Sequence, residues 1–131
     1  MSDELKAREV SPVEAKKLLD SGFSYVDVRS SVEFGSGHPA GAVNVPFLLA
    51  EGGALPDPEF VPRIAERFSP DAPLVLGCAS GVRSRAAAEL LRQHGFVRIV
   101  EMPAGFDGRR GAFGAIIERG WRASGLPIVG G

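Results

Sequence analysis

The sequence predicts an α/β fold: a central, mainly parallel sheet of about five strands flanked by helices on both faces. Three observations carry this. Short apolar runs such as Tyr25-Val26-Asp27-Val28 and Leu74-Val75-Leu76 read as buried strands. Amphipathic stretches bounded by helix start and stop signals lie between such runs, and that alternation implies right-handed crossovers between parallel strands. The chain has 131 residues, 44% hydrophobic and 24% charged, with a formal net charge of −1. That composition suits one globular domain spanning residues 1–131.

A short strand near Arg8 to Val10 opens the series. Ser11 can cap the first helix, Pro12 fits its first position, and Glu14 completes a capping box with Ser11. Val13, Leu18 and Leu19 offer an apolar stripe, and Gly22 ends the helix. Val43-Asn44-Val45 before Pro46 is the next strand, followed by a surface loop from Gly52 to Pro58. Asp57-Pro58 begins a second helix with Phe60, Ile64 and Phe68 on one face. After Leu74-Val75-Leu76, the segment from Arg83 to His94 reads as a helix that buries Ala87, Leu90 and Leu91 and stops at Gly95. Val97 to Val100 gives another strand. A further helix is expected from Ala112 to Arg119, ended by Gly120.

Composition narrows the function. No stretch approaches the ~18 to 20 apolar residues of a membrane span, and Met1-Ser2-Asp3-Glu4-Leu5-Lys6 lacks the apolar core of a secretory signal. The one cysteine, Cys78, has no internal disulfide partner, so nothing asks for an oxidising compartment; the expectation is a soluble cytoplasmic protein, and a monomer is expected beside it. Residues 1–66 carry six Lys/Arg against eleven Asp/Glu, and residues 67–131 carry nine against five. Cys78 lies in the positive half, which suits a small anionic substrate, although a few surface arginines give the same tally. No basic run with interleaved aromatics supports nucleic-acid binding. Two histidines and one cysteine show no zinc spacing, and the glycines from Gly105 to Gly114 lack nucleotide-loop spacing. Neither a metal nor a cofactor is expected.

The candidate site is Leu74-Val75-Leu76-Gly77-Cys78-Ala79-Ser80-Gly81-Val82-Arg83-Ser84, a strand, a tight loop and a helix start. Ligands of parallel sheets sit at the carboxyl ends of strands, where Cys78 stands. Small residues after it let the backbone curl so that successive N–H groups form an anion nest, and the following helix adds its positive end. A sulfur on that floor is favoured as thiolate. Arg83 offers a planar donor fork for an oxyanion. A solvated first turn of helix is the plainer role for Arg83 and Arg85, and the preferred one for Arg85. His94, eleven residues beyond Arg83 and about 16 Å along a helix, fits helix capping. Trp121 fits a core or rim anchor.

The loop resembles the active-site loop of the rhodanese-like sulfurtransferases, in which a cysteine begins six residues ending in arginine followed by serine. Val26-Asp27-Val28-Arg29 resembles that family's strand-end signature. Glu33-Phe34 with Gly37-His38-Pro39-Ala40-Gly41-Ala42-Val43-Asn44-Val45-Pro46, and Gly120-Trp121-Arg122-Ala123-Ser124-Gly125-Leu126-Pro127, are similar to two more of its segments. Pro39 replaces a usual isoleucine, and Ala104-Gly105 stands where two glycines are usual. Phe106 to Arg119, with Arg109 and Arg110, is longer than in compact members: it either overhangs the pocket or, as preferred here, is a surface excursion.

The resemblance implies sulfane-sulfur transfer. Cys78 takes the outer sulfur of thiosulfate or a similar donor, backbone donors from Ala79, Ser80, Gly81, Val82 and Ser84 hold the persulfide, and Arg83 orients the donor. Cyanide, a thiol or a sulfur-relay protein accepts the sulfur, and no general base is demanded. By the same resemblance His38 is structural. Asp27 and Arg29 either brace the site as an ion pair or serve strand-end hydrogen bonding. Phosphatases and arsenate reductases related to this family carry one loop residue more than the six from Cys78 to Arg83.

Overall fold

Leu74, Leu76 and Cys78 point to one side of their strand and Val75 to the other, and this period of two sets the layering of the whole molecule. The structure is a computed structural model that describes residues 7–130. The N-terminal hexapeptide Met1-Ser2-Asp3-Glu4-Leu5-Lys6, read above as no secretory signal, lies outside the described residues. In chain order come β1 (Arg8–Glu9), α1 (Pro12–Asp20), β2 (Ser24–Asp27), α2 (Ser31–Gly35), β3 (His38–Pro39) and β4 (Val43–Asn44). Then follow α3 (Phe60–Arg67), β5 (Leu74–Gly77), α4 (Val82–Gln93), β6 (Ile99–Glu101), β7 (Arg109–Arg110), β8 (Ile116–Glu118) and β9 (Ile128–Val129). The main sheet is five-stranded in the order β1-β6-β5-β2-β4, and every pairing in it is parallel. The α/β class and the five-stranded parallel sheet flanked on both faces are therefore as the sequence predicts.

Two apolar layers form on the sheet. Phe60 and Ile64 of α3, with Ala87, Ala88 and Leu91 of α4, pack against Val26, Leu74, Leu76 and Cys78. Ala15 of α1 and Trp121 pack with Tyr25, Val75, Val100 and Met102 on the opposite face. Because β5 is central and buried on both faces, each of its residues is apolar or glycine. The first helix starts with the expected box: the Glu14 amide donates to Ser11 Oγ at 3.1 Å and the Ser11 amide to Glu14 Oε1 at 2.8 Å. It ends where Gly22, at φ +115°, turns the chain so that the Phe23 amide reaches the Leu18 carbonyl.

Several expectations are corrected. The helix from Ala112 to Arg119 does not form; β7 and β8 make an antiparallel hairpin around a 3₁₀ turn at Ala112–Gly114. Gly114 would weaken the interior of that helix, while the β-branched pair Ile116-Ile117 favours a strand. Val13 is 50% exposed and leaves the stripe to Ala15, Leu18 and Leu19, because it lies about 200° round the helix from Ala15. The second helix begins at Phe60, since Asp57 first caps a turn by accepting the Glu59 amide at 2.9 Å. The strand expected from Val97 starts instead at Ile99, with Val97 exposed and Phe96 buried. The five-residue α2 and the β3–β9 pair that ties His38 to Val129 also escaped the sequence.

Candidate active site

Strand β5 ends at Gly77 in the middle of the sheet, so its next residue, Cys78, sits at a carboxyl edge with strands on both sides. The side chain is buried, 1% exposed. Its Sγ accepts the Gly81 amide at 3.1 Å and the Ser84 amide at 3.4 Å. Gly81 is the N-cap of α4 and has no side chain to satisfy the first turn, so the sulfur takes the third-position amide that a capping oxygen would ordinarily take. Those two donors and the positive end of a twelve-residue helix stabilise negative charge on Sγ. Cys78 Sγ also lies 3.4 Å from Ser84 Oγ, which in turn donates to Glu101 Oε2 at 2.8 Å.

The loop holds this curl because its flank is made of backbone. Gly81 adopts φ +95°, and a Cβ there would fall 2.4 Å from the Pro103 carbonyl oxygen. Gly105, at φ +65°, presses on the other side, where a Cβ would fall 2.4 Å from the Ala79 carbonyl oxygen. The Phe106 amide donates to the Cys78 carbonyl at 2.7 Å and the Asp107 amide to that of Ala79 at 2.9 Å. Ala79, Ser80 and Val82 complete the turn, with Val82 77% exposed beside the mouth.

Arg83 closes the loop, and its fork is engaged by Glu33 of α2 through bonds of 2.6 and 3.0 Å. This bond to Arg83, followed by Ser30 contacts, holds the Glu33 carboxyl down at about 2 against the cost of its burial. The pair faces a cleft of about 750 Å³ lined by Glu33, Phe47, Glu51, Pro56, Val82 and Arg83. A smaller one of about 150 Å³, between Ser30, Pro46, Glu51 and Arg83, adjoins it.

Beneath the loop, Asp27 and Arg29 form the ion pair that the sequence left open. Nε and Nη2 of Arg29 reach Oδ1 and Oδ2 at 3.0 and 2.7 Å, and Nη2 also donates to the Gly37 carbonyl at 2.6 Å. Both side chains are buried. The Arg29 guanidinium lies 4.5 Å over the ring of Phe106, the residue whose amide holds the Cys78 carbonyl, so the brace reaches the cysteine loop.

The remaining candidates take supporting places. His38 Nδ1 sits 2.8 Å from the Phe34 carbonyl and its ring stacks on Phe34 at 3.6 Å. His94 is the C-cap of α4, with Nδ1 2.9 Å from the Leu90 carbonyl. Trp121 is buried against Tyr25, its indole N–H donating to the Pro127 carbonyl at 2.8 Å. Arg85 is exposed and 3.6 Å from Glu89.

Two partners at the site were given no site role from the sequence. Glu33 stood only within the Glu33-Phe34 segment of the resemblance, with no role at the site; its capping-box spacing from Ser30 was a further signal that went unread. Glu101 carried one signal, a lone charge at the end of the apolar run Ile99-Val100.

A parallel sheet with a lone cysteine at the end of its central strand, cupped by a helix N-terminus, defines a class of cysteine-loop α/β domains. A family model described as the rhodanese-like domain matches residues 11–111. The chain belongs to the rhodanese-like domain family. It is 33% identical over 93 residues to the senescence-associated protein DIN1 of Raphanus sativus, covering 70% of this chain but 51% of that protein, so it spans about half of that relative's length. It is 32% identical over 119 residues to thiosulfate sulfurtransferase 16, chloroplastic, of Arabidopsis thaliana, covering 90% of this chain and 89% of the relative. A crystal structure of Rv0390 from M. tuberculosis superposes with a TM-score of 0.80 at 28% identity, covering 96% of this chain and 99% of that one.

Proposed function

We propose that this protein is a sulfurtransferase that carries sulfane sulfur on Cys78, from thiosulfate or a similar donor to cyanide or a thiol. The observation that carries this reading is the pair of amides, from Gly81 and Ser84, aimed at Cys78 Sγ from the start of α4. Relatives named thiosulfate sulfurtransferase over nearly matching lengths support the same reaction class.

In the first half-reaction Cys78 Sγ attacks the outer sulfur of thiosulfate, the S–S bond breaks, and sulfite leaves with the bonding electron pair. The persulfide stays in the curl of Ala79, Ser80, Gly81, Val82 and Ser84, where first-turn amides of α4 meet its charge. Arg83 orients the anionic donor while paired with Glu33, and it lines both clefts beside the loop. Asp27 and Arg29 fix the loop from below. In the second half-reaction the acceptor attacks the outer sulfur, and Cys78 returns. A cytoplasmic monomer working without cofactor or metal is part of this reading.

Transfer to an acceptor protein is the second reading. It is favoured by the cleft of about 750 Å³ beside exposed Val82, wider than a thiosulfate dianion needs. Steady-state kinetics separate the two. Turnover of thiosulfate with cyanide, giving parallel double-reciprocal lines and vanishing in Cys78→Ser, supports the enzyme. Sulfur loading with turnover only when a protein acceptor is supplied supports the relay. Hydrolysis of an aryl phosphate with no sulfur loading would overturn both.

A further inference from the structure

Glu101 is a carboxylate built into the core. It closes β6, pairs in register with Glu9 of β1, is 2% exposed, and has Ser84 Oγ as its donor at 2.8 Å. A buried carboxylate costs several kcal/mol unless something pairs it. Among the described residues, the charged groups around it do not match it one to one. Glu9 faces it across the sheet, Arg85 and Glu89 of α4 lie against the same small cavity and are 3.6 Å from each other, and Arg109 approaches from β7. No step of the sulfur-transfer mechanism above employs this group.

Its short side-chain bond to Ser84 runs toward the reacting sulfur. Ser84 Oγ touches Glu101 Oε2 on one side and lies 3.4 Å from Cys78 Sγ on the other, with the Gly81 carbonyl at 3.3 Å as its alternative acceptor. A serine hydroxyl has one hydrogen and two lone pairs, so it can pass hydrogen bonding in either direction along this line. With Glu101 ionised, Ser84 donates to the carboxylate and accepts from the Cys78 thiol. With Glu101 protonated, the carboxylic acid donates to Ser84, and Ser84 turns its hydrogen onto the sulfur anion.

We propose that Glu101 is a positioning residue that acts through Ser84 to take up the proton Cys78 loses when it accepts sulfur. The inference rests on the sulfurtransferase reading and deepens it, and it departs from the expectation that no base is demanded: the thiol form, with Cys78 Sγ donating to Ser84 Oγ at 3.4 Å, is the state whose proton Glu101 takes. The first half-reaction then balances within the site. The Cys78 S–H bond breaks as Sγ bonds the outer sulfur of thiosulfate, and the thiol proton passes to Ser84 Oγ. The proton of that hydroxyl passes to Glu101, and sulfite leaves with the electron pair of the broken S–S bond. Thiol, carboxylate and thiosulfate become persulfide anion, carboxylic acid and sulfite, with no change in total charge. Ser84 then faces the persulfide as a donor. Burial first, and then the charge of Glu9, raise the Glu101 carboxyl to about 7 against the opposing bond from Ser84, which keeps both of its forms accessible near neutrality.

The test is stopped-flow sulfur loading from thiosulfate across pH 5 to 10, for the wild type, Glu101→Gln and Ser84→Ala. The amide of Glu101→Gln keeps the size and can still accept from Ser84, but it cannot take the proton. Loading by the wild type should rise through an inflection near pH 7. In Glu101→Gln that inflection should be lost and loading at pH 7 should fall about tenfold, converging on the wild-type rate at the alkaline end of the range, where hydroxide in solvent can take the proton instead. Convergence at high pH also shows that the variant is folded. Ser84→Ala should lose the same inflection. A Glu101→Gln protein that keeps the inflection, or loads as fast as the wild type at pH 7, overturns the role of Glu101 while leaving sulfur transfer intact. A wild type that never loads overturns the sulfurtransferase reading itself.

Discussion

Two carboxylates flank the cysteine loop and their environments push them apart. Glu33, bonded to Arg83, has its carboxyl lowered to about 2; Glu101, buried beside Glu9, has its carboxyl raised to about 7. The signs of their contributions to stability follow by linkage. Glu33 stabilises the fold above the ordinary carboxylate range, and its contribution is lost as pH falls through its depressed value. Glu101 binds its proton more tightly folded than unfolded, so its contribution is fully present below the ordinary value and is lost as pH rises toward 7. The shift corresponds to about 3 kcal/mol. Thermal unfolding should therefore show Glu101→Gln gaining stability relative to the wild type between pH 5 and pH 7.5. A difference that stays flat over that interval would contradict the burial argument.

At the scale of elements, the loop from Cys78 to Ser84 depends on what lies behind it. The main sheet, α1, α3, α4 and the cysteine at a strand end were legible because each rests on local pattern: capping boxes, apolar spacing, a glycine stop. The hairpin of β7 and β8 was not, because the stretch from Ala112 to the stop at Gly120 is long enough to read as a helix, and only Gly114 and the strand preference of Ile116-Ile117 opposed it. Long-range partners were equally hidden. Glu33 is fifty residues from Arg83, and Glu101 is seventeen from Ser84, so no sequence window joins either pair. Gly81 shows how the elements meet. Its φ of +95° disfavours any side chain, and a Cβ would strike the Pro103 carbonyl. Gly81→Ala should turn its amide away from the sulfur and cut sulfur loading by about tenfold or more, with a loss of about 1–3 kcal/mol in stability. Loading at the wild-type rate in a folded Gly81→Ala protein would show that the curl does not depend on this glycine.

Across the whole molecule, a buried parallel sheet positions one sulfur and a helix supplies the charge complement. The five strands place Cys78 between neighbours on both sides, α4 starts against it, and the segment after β6 returns to clamp the loop through Gly105 and Phe106. Asp27 and Arg29, inside the fold, tie that clamp to β2. Intact-mass spectrometry after incubation with thiosulfate tests this arrangement most directly. The wild type should gain the mass of one sulfur atom, cyanide should remove it, and Cys78→Ser should gain nothing while unfolding at a similar temperature. A wild type that gains no mass, or a Cys78→Ser protein that gains as much as the wild type, would contradict the account.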